Sequence, residues 1–190
     1  MTMIFYLHGF RSAPASMKAR LLGQRLAERG LADRWWCEPL AFRPREAIEQ
    51  IEGALMQAPN GATLVGSSLG GFYATYLAEK YDLRAVLVNP AVVAHLTLAG
   101  YLGPQVNLYT GETFLFTPEH IAELAALEVP HILRPERFWL LVETGDEVLD
   151  YRQAVTRYSG AHQTVIEGGD HSFQHFRDFL DPIIAFAGLG

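Results

Sequence analysis

The chain has 190 residues, of which 49% are hydrophobic and 19% charged, with a formal net charge of −6. That length suits one domain with a full core, or a core carrying a small cap. The acidic balance and the scattered Lys and Arg exclude a basic nucleic-acid face and a polybasic membrane anchor, and no apolar run nears the roughly 18 residues of a membrane span. The lone Cys37 allows neither an internal disulfide nor metal-site spacing, and reads as a reduced, buried filler on a strand. Met1 to Leu7 lacks the basic flank and the length of a signal peptide, so a cytoplasmic setting is expected.

Met3-Ile4-Phe5-Tyr6-Leu7 reads as a buried strand running into His8-Gly9-Phe10. A helix is expected from Ser16 to Arg29, stopped by Gly30, then a strand over Trp35 to Leu40. Pro44 opens a helix whose apolar face is Ala47, Ile48, Ile51 and Leu55. Pro59-Asn60-Gly61 is a turn before the strand Ala62 to Val65, and a helix follows with Phe72, Tyr73, Tyr76 and Leu77 along one face. Arg84 to Asn89 is the next strand, ended by Pro90. From 92 to 136 the regular alternation lapses among glycines and prolines, with one helix-like piece from Pro118 to Leu127. So long a structureless loop would be unusual, and the segment reads as an inserted cap or lid. Alternation resumes with a strand from Arg137 to Glu143, a helix from Asp150, and a strand from Gln163 to Glu167. A C-terminal helix follows, with Pro182 breaking or restarting it. Strands alternating with helices, apolar on both faces, predict an α/β fold: a mostly parallel sheet of about six strands, helices on both sides.

Between one strand and helix lies Gly66-Ser67-Ser68-Leu69-Gly70, the G-x-S-x-G pattern of a nucleophile elbow. The turn strains the serine backbone, and side chains at Gly66 or Gly70 would strike the neighbouring strand or helix. Leu69 opens the helix, so its N–H is a free donor at the positive dipole end. Taken alone, the motif also fits an ordinary glycine-rich strand-to-helix turn. The phosphate-loop readings lack their Lys and their glycine spacing.

In parallel sheets, reacting groups gather at the carboxyl ends of the strands. Past four strand ends stand His8-Gly9-Phe10, Ser68, Thr144-Gly145-Asp146 and Gly168-Gly169-Asp170-His171. Ser68, Asp146 and His171 thus follow in the Ser…Asp…His order of a hydrolase triad. A serine needs an imidazole to take its proton, and an imidazole, with an unperturbed pKa of about 6.5, can also return it to a leaving group. A carboxylate fixes the ring tautomer. Asp146 suits that place better than Asp150, which falls at a helix start, or Asp170, which adjoins the histidine in sequence. The oxyanion needs two donors, for which Leu69 N–H and Phe10 N–H are the candidates.

Five blocks together carry a resemblance: Tyr6 to Phe10, Val65 to Gly71, Val88 to Ala91, Thr144 to Gln153 and Gln163 to Gly169. In this order they closely resemble the YqiA-type small bacterial esterases. The resemblance implies an α/β-hydrolase with esterase activity, catalytic Ser68, Asp146 and His171, and no cofactor. It also implies that the fold's usual first antiparallel strands are missing.

The expectation is a single domain over 1–190, with 92–136 as cap, that hydrolyses a small-molecule ester through an acyl-enzyme. An acyl-CoA thioesterase, with Arg11, Lys18 and Arg20 as candidate cations at the mouth, is the alternative among enzymes. A binding protein on the same fold is the alternative outside them. His8 is expected to shape the oxyanion loop through its hydrogen bonds, and His95, His120, His131 and His162 to lie on the surface or in the cap. His175, one helical turn from His171, lacks the acid of an H-E-x-x-H metal helix, so no metal is expected.

Overall fold

A computed structural model describes residues 2–58 and 61–190. Met1, at the start of the apolar N-terminal stretch, and Pro59 and Asn60 of the predicted turn lie outside the described residues. Six strands form one sheet: β1 (Met3–Leu7), β2 (Trp35–Trp36), β3 (Ala62–Ser67), β4 (Arg84–Val88), β7 (Phe138–Glu143) and β8 (His162–Ile166). Their order across the sheet is β2-β1-β3-β4-β7-β8, and all five pairings are parallel. Leu7 registers with Gly66, Ser67 with Val88 and Glu143 with Ile166, so the strands end level with one another. The chain leaves β1 for β2 on one side and returns to β3 on the other. That reversal opens a crevice at the carboxyl ends of β1 and β3.

Alternate residues along each strand face opposite sides of the sheet. Phe5, Leu7 and Leu64 join one core with Ala47, Ile48 and Ile51 of α2 (Pro44–Met56) and Phe72, Tyr73 and Leu77 of α3 (Leu69–Tyr81). Ile4, Tyr6 and Val65 join the other with Ala19, Leu22 and Leu26 of α1 (Met17–Glu28) and Ile183 and Ile184 of α7 (Leu180–Phe186). Burying each Val, Leu, Ile or Phe among them contributes about 1.5–3 kcal/mol. The helices therefore cover both faces, and α6 (Tyr151–Arg157) adds Ala154 to the first core.

Between β4 and β7, the segment 92–136 holds α4 (Ala94–Thr97), an antiparallel hairpin of β5 (Gly103–Val106) and β6 (Thr113–Phe116), and α5 (Pro118–Ala126). Salt-bridged Arg43 and Glu123, 2.8 Å apart, tie α5 to α2. The hairpin has no counterpart among the elements expected from sequence, because its strands are four residues each and the first begins at Gly103-Pro104.

The second strand is shorter than expected. It ends at Trp36, since Pro39 brings no N–H to a ladder and the chain turns inward, where Leu40 N–H donates to His8 Nε2 at 3.1 Å. Cys37 is therefore on a half-buried loop rather than on a strand, and burial, with the nearby Glu38 charge, pushes its thiol up to about 12. The C-terminal helix is two pieces, a 3-10 turn over Gln174–Phe179 and then α7, with Pro182 in the first turn of the latter.

Candidate active site

Ser68 is the residue between β3 and α3, and its backbone is strained at φ 54°, ψ −118°. Such a conformation costs about 1–3 kcal/mol in a non-glycine residue and persists only where neighbours hold it. Here the Ser68 N–H donates to the Val88 carbonyl at 3.1 Å, and its own carbonyl accepts from Gly71 N–H at 3.0 Å and Ala91 N–H at 3.1 Å. The elbow is pressed hard against its surroundings. A Cβ at Gly70 would overlap the Leu7 carbonyl of β1, and one at Gly66 would overlap the Gly70 carbonyl. Ser67 is the last residue of β3 and is buried.

The structure brings Ser68, His171 and Asp146 into one line. His171 Nε2 stands 3.1 Å from Ser68 Oγ, and His171 Nδ1 stands 2.8 and 3.0 Å from the two Asp146 oxygens. The Asp146 side chain is 1% exposed and the His171 side chain 23%. Asp146 Oδ1 also accepts from Val148 N–H at 2.9 Å and Leu149 N–H at 2.8 Å, which fixes the carboxylate. The other two acids are occupied elsewhere. Asp150 caps α6 by accepting from Arg152 N–H at 3.0 Å, and Asp170 accepts from Ser172 N–H and Gln174 Nε2, both at 2.8 Å.

Leu69 is the first residue of α3, so no preceding helical turn receives its N–H. Phe10 follows β1 across from the elbow, where Gly9 lets the two segments approach: a Cβ there would stand 3.3 Å from Ser68 Cβ. The buried ring of His8 orients this loop. Because Nε2 accepts from Leu40 N–H, the proton sits on Nδ1 and is donated to the Gly9 carbonyl at 3.1 Å. Burial favours this neutral form by lowering the ring's pKa, against the opposing pull of the Gly9 carbonyl. In a trans peptide the N–H points opposite its C=O, so fixing the Gly9 carbonyl also fixes the direction of Phe10 N–H.

Two side chains that the sequence does not single out hold the histidine loop. Glu143, the fully buried last residue of β7, accepts from Asp170 N–H at 2.8 Å, Gln174 N–H and His175 N–H at 3.1 Å, and the His175 ring at 2.7 Å. Burial alone would raise its carboxyl, but these hydrogen bonds outweigh it and hold the pKa below the ordinary value. Asn89, at the end of β4, donates to the Asp170 carbonyl at 3.0 Å and the His171 carbonyl at 3.3 Å, while its Oδ1 accepts from Glu143 N–H at 3.0 Å. Gly169 lies at φ +67°, directly over Glu143, and a Cβ there would overlap the carboxylate. One signal does point to Glu143: a carboxylate closing an apolar strand in a sheet covered on both faces needs partners.

His175 thus pairs with Glu143. Among the described residues, no group of three or more His, Cys, Asp or Glu side chains is placed to hold a metal ion. His120 is buried in the 92–136 segment, its Nδ1 accepting from Thr117 N–H at 3.1 Å at the start of α5.

Two cavities open onto Ser68 and His171. One, of about 210 Å³, is walled chiefly by Leu98, Tyr101, Leu108, Ala91 and Leu149. The other, of about 390 Å³, is more polar, with Tyr6, Ser12, Ser16, Lys18 and Glu147 among its walls. Arg11 borders both, whereas Arg20 lies on a different depression. Lys18 donates to the Ser172 carbonyl at 2.6 Å, and burial, opposed by the charges of Asp170, Glu143 and Asp146, brings its pKa down to about 8. Phe116 borders neither cavity and packs instead beneath Phe10, with ring centroids 5.1 Å apart.

Among the described residues, no helix is long and apolar enough to cross a membrane. Solved structures share the fold along nearly the whole chain. A provisionally assigned hydrolase of Agrobacterium vitis S4 superposes with a TM-score of 0.75 at 22% identity, over 98% of this chain and 88% of that one. Mouse alpha/beta hydrolase domain-containing protein 10 gives 0.70 at 16% identity, over 96% and 89%. Est1E from Butyrivibrio proteoclasticus gives 0.68 at 13% identity, over 97% and 86%. These likenesses establish an α/β-hydrolase fold. In sequence, a UPF0227 protein of Pectobacterium atrosepticum is 24% identical over 196 residues, which span 99% of this chain and all of the relative. The sequence model of the uncharacterised protein family UPF0227 matches residues 3–188, and the chain belongs to that YqiA-type family.

Proposed function

We propose that this protein is a serine hydrolase of carboxylic esters, with Ser68 as nucleophile, His171 as general base and acid, and Asp146 as the acid that orients it. The observation that carries the reading is the unbroken hydrogen-bonded line from Ser68 Oγ through the His171 ring to the buried Asp146, at the mouth of an apolar cavity. Solved neighbours named as an esterase domain from Rhodothermus marinus and as Est1E support it.

In this reading His171 Nε2 takes the Ser68 proton as Oγ attacks the acyl carbon. The carbonyl π electrons move onto oxygen, and the oxyanion is received by the N–H groups of Leu69 and Phe10. Asp146 accepts from Nδ1–H and stabilises the imidazolium. The tetrahedral intermediate collapses, the bond to the leaving oxygen breaks, and His171 returns the proton to it. Water, activated by the same ring, then releases the acid from Ser68. No cofactor enters this chemistry. The 92–136 segment acts as a cap, and its Leu98, Tyr101 and Leu108 form the wall against which the acyl chain lies.

A thioester reading is favoured by one further observation. Arg11 and Lys18 border the cavity that opens on Ser68 and His171, where they could meet an anionic thiol leaving group. A screen of acyl esters and matched thioesters of graded chain length tests both. Turnover that vanishes in Ser68→Ala supports the hydrolase, and the oxygen-to-sulfur ratio decides the class. Binding of these compounds without turnover would instead favour a non-catalytic protein on this fold.

A further inference from the structure

The 92–136 segment reaches the oxyanion loop, and it does so at the turn that joins β5 to β6. Arg11, the residue after Phe10, has a left-handed backbone at φ 56°. Its carbonyl accepts from Leu108 N–H at 2.9 Å, and its Nε donates to the Val106 carbonyl at 2.9 Å. The next carbonyl, of Ser12, accepts from Asn107 Nδ2 at 2.8 Å. Three hydrogen bonds from three consecutive hairpin residues therefore fall on two consecutive residues of the loop. A strained non-glycine conformation persists only where surrounding bonds over-determine it. At Arg11 those bonds come from the hairpin.

Asn107 also makes the turn that reaches across. Its Oδ1 accepts from Tyr109 N–H at 2.9 Å and Thr110 N–H at 3.1 Å, its N–H donates to the Glu112 carbonyl at 2.8 Å, and its carbonyl accepts from Gly111 N–H at 3.0 Å. One end of the side-chain amide thus shapes the hairpin turn, and the other holds the oxyanion loop. Phe10 itself is packed from the same side, its ring centroid 5.6 Å from Tyr101, 5.9 Å from Phe114 and 5.1 Å from Phe116. His8 fixes the peptide before Phe10, and the hairpin fixes the residues after it.

We infer that Asn107 is a positioning residue for the oxyanion hole, acting through Ser12 and Arg11 on the direction of Phe10 N–H. The 92–136 segment thereby sets the rate of the chemical step as well as the choice of chain length. The inference rests on the reading of Phe10 N–H as an oxyanion donor. Loss of one such donor costs about 10²–10³ in kcat, and a misplaced one costs a part of that.

The discriminating substitution is Asn107→Asp. A carboxylate keeps an acceptor for Tyr109 and Thr110 N–H, so the turn survives, but it has no proton to give the Ser12 carbonyl. The readouts are kcat and KM for p-nitrophenyl esters of graded chain length, inhibition by an alkyl trifluoromethyl ketone, and Tm. The ketone forms an oxyanion on the active serine and so reports the hole directly. Asn107→Asp is expected to lower kcat about 10- to 100-fold at every chain length, with KM little changed. Ketone affinity should fall by a similar factor, and Tm should stay near that of the wild type. Asn107→Ala, which also loses the turn acceptor, should lose at least as much activity with a lower Tm. Full turnover and ketone affinity in Asn107→Asp, or a loss confined to certain chain lengths, overturns the inference while leaving the hydrolase reading intact. Wild-type protein without Ser68-dependent turnover overturns both.

Discussion

His171 sits on a loop whose backbone is gripped by Asn89 and Glu143 from the ends of two central strands, whereas Phe10 sits on a loop gripped on its far side by the 106–108 turn of the hairpin. The first grip is buried and belongs to the sheet, so it opens only when the core opens. The second is made by a short hairpin whose Val106, Leu108 and Leu115 are exposed, the kind of element that opens locally at lower cost than the whole fold. In the proposed mechanism, the proton-handling half of the site is thus tied to global stability, while the oxyanion half is tied to the seating of the 92–136 segment. Damage to the first should cost stability and activity together. Loss of the second grip with the hairpin turn kept should cost activity alone.

The largest expected effect lies within the proton-handling half and leaves its anchors untouched. Asp146→Asn keeps an oxygen for the Val148 and Leu149 N–H groups but turns an NH₂ toward His171 Nδ1, which favours the wrong tautomer. The equivalent change in a serine protease triad costs about 10⁴-fold in kcat, and a loss approaching that is expected here, with Tm preserved. Near-full turnover would remove Asp146 from the mechanism.

Glu143→Gln breaks the strand-end grip itself. One amide cannot accept from four donors, so kcat should fall about 10²-fold, and stability should drop on the order of 3 kcal/mol. The wild-type carboxyl titrates below its ordinary 4.5, so the folded state binds fewer protons than the unfolded state in that window. Its contribution is therefore present above pH 4.5 and is lost as pH falls through the lowered value. Urea melts across acid pH should show a shallower decline in the Gln variant. An activity loss without any stability loss would erase the contrast between the two loops.

A smaller effect belongs to the acyl wall. Tyr101→Ala enlarges the apolar cavity beside Ser68 and should shift the preference toward longer chains by roughly tenfold in relative kcat/KM. A uniform fall at all lengths would mean that Tyr101 serves the Phe10 packing instead. The smallest effect is at Asp150, whose replacement by Ala removes a helix cap and should cost about 1 kcal/mol of stability with kcat unaltered.

Much of the proposed site is legible in the sequence because its residues sit where the hydrophobic pattern stops. Each apolar strand ends in a short polar run, and walking those ends in order meets Ser68, Asp146 and His171. The elbow is legible because sterics at Gly66 and Gly70 leave little choice of residue. Glu143 and Asn89 escape notice because each closes a strand and looks like part of it; their partners on the histidine loop lie 27 to 32 and 81 to 82 residues away, a separation that local pattern does not encode. The β5–β6 hairpin is hidden for a different reason. Its strands are short, alternation over four residues is weak, and Pro104 argues against a strand except at an edge. The bond from Asn107 to Ser12 spans 95 residues and becomes visible only once the hairpin is placed.

The central claim is that Ser68 is the activated nucleophile, and intact-protein mass spectrometry after reaction with a fluorophosphonate tests it most directly. The wild type should gain one phosphonyl adduct, mapped by peptide digestion to Ser68. Ser68→Ala should gain none, Ser67→Ala should react as the wild type does, and His171→Ala should react far more slowly. Labelling that persists in Ser68→Ala and disappears in Ser67→Ala, or a wild type that takes up no adduct at all, would contradict the account.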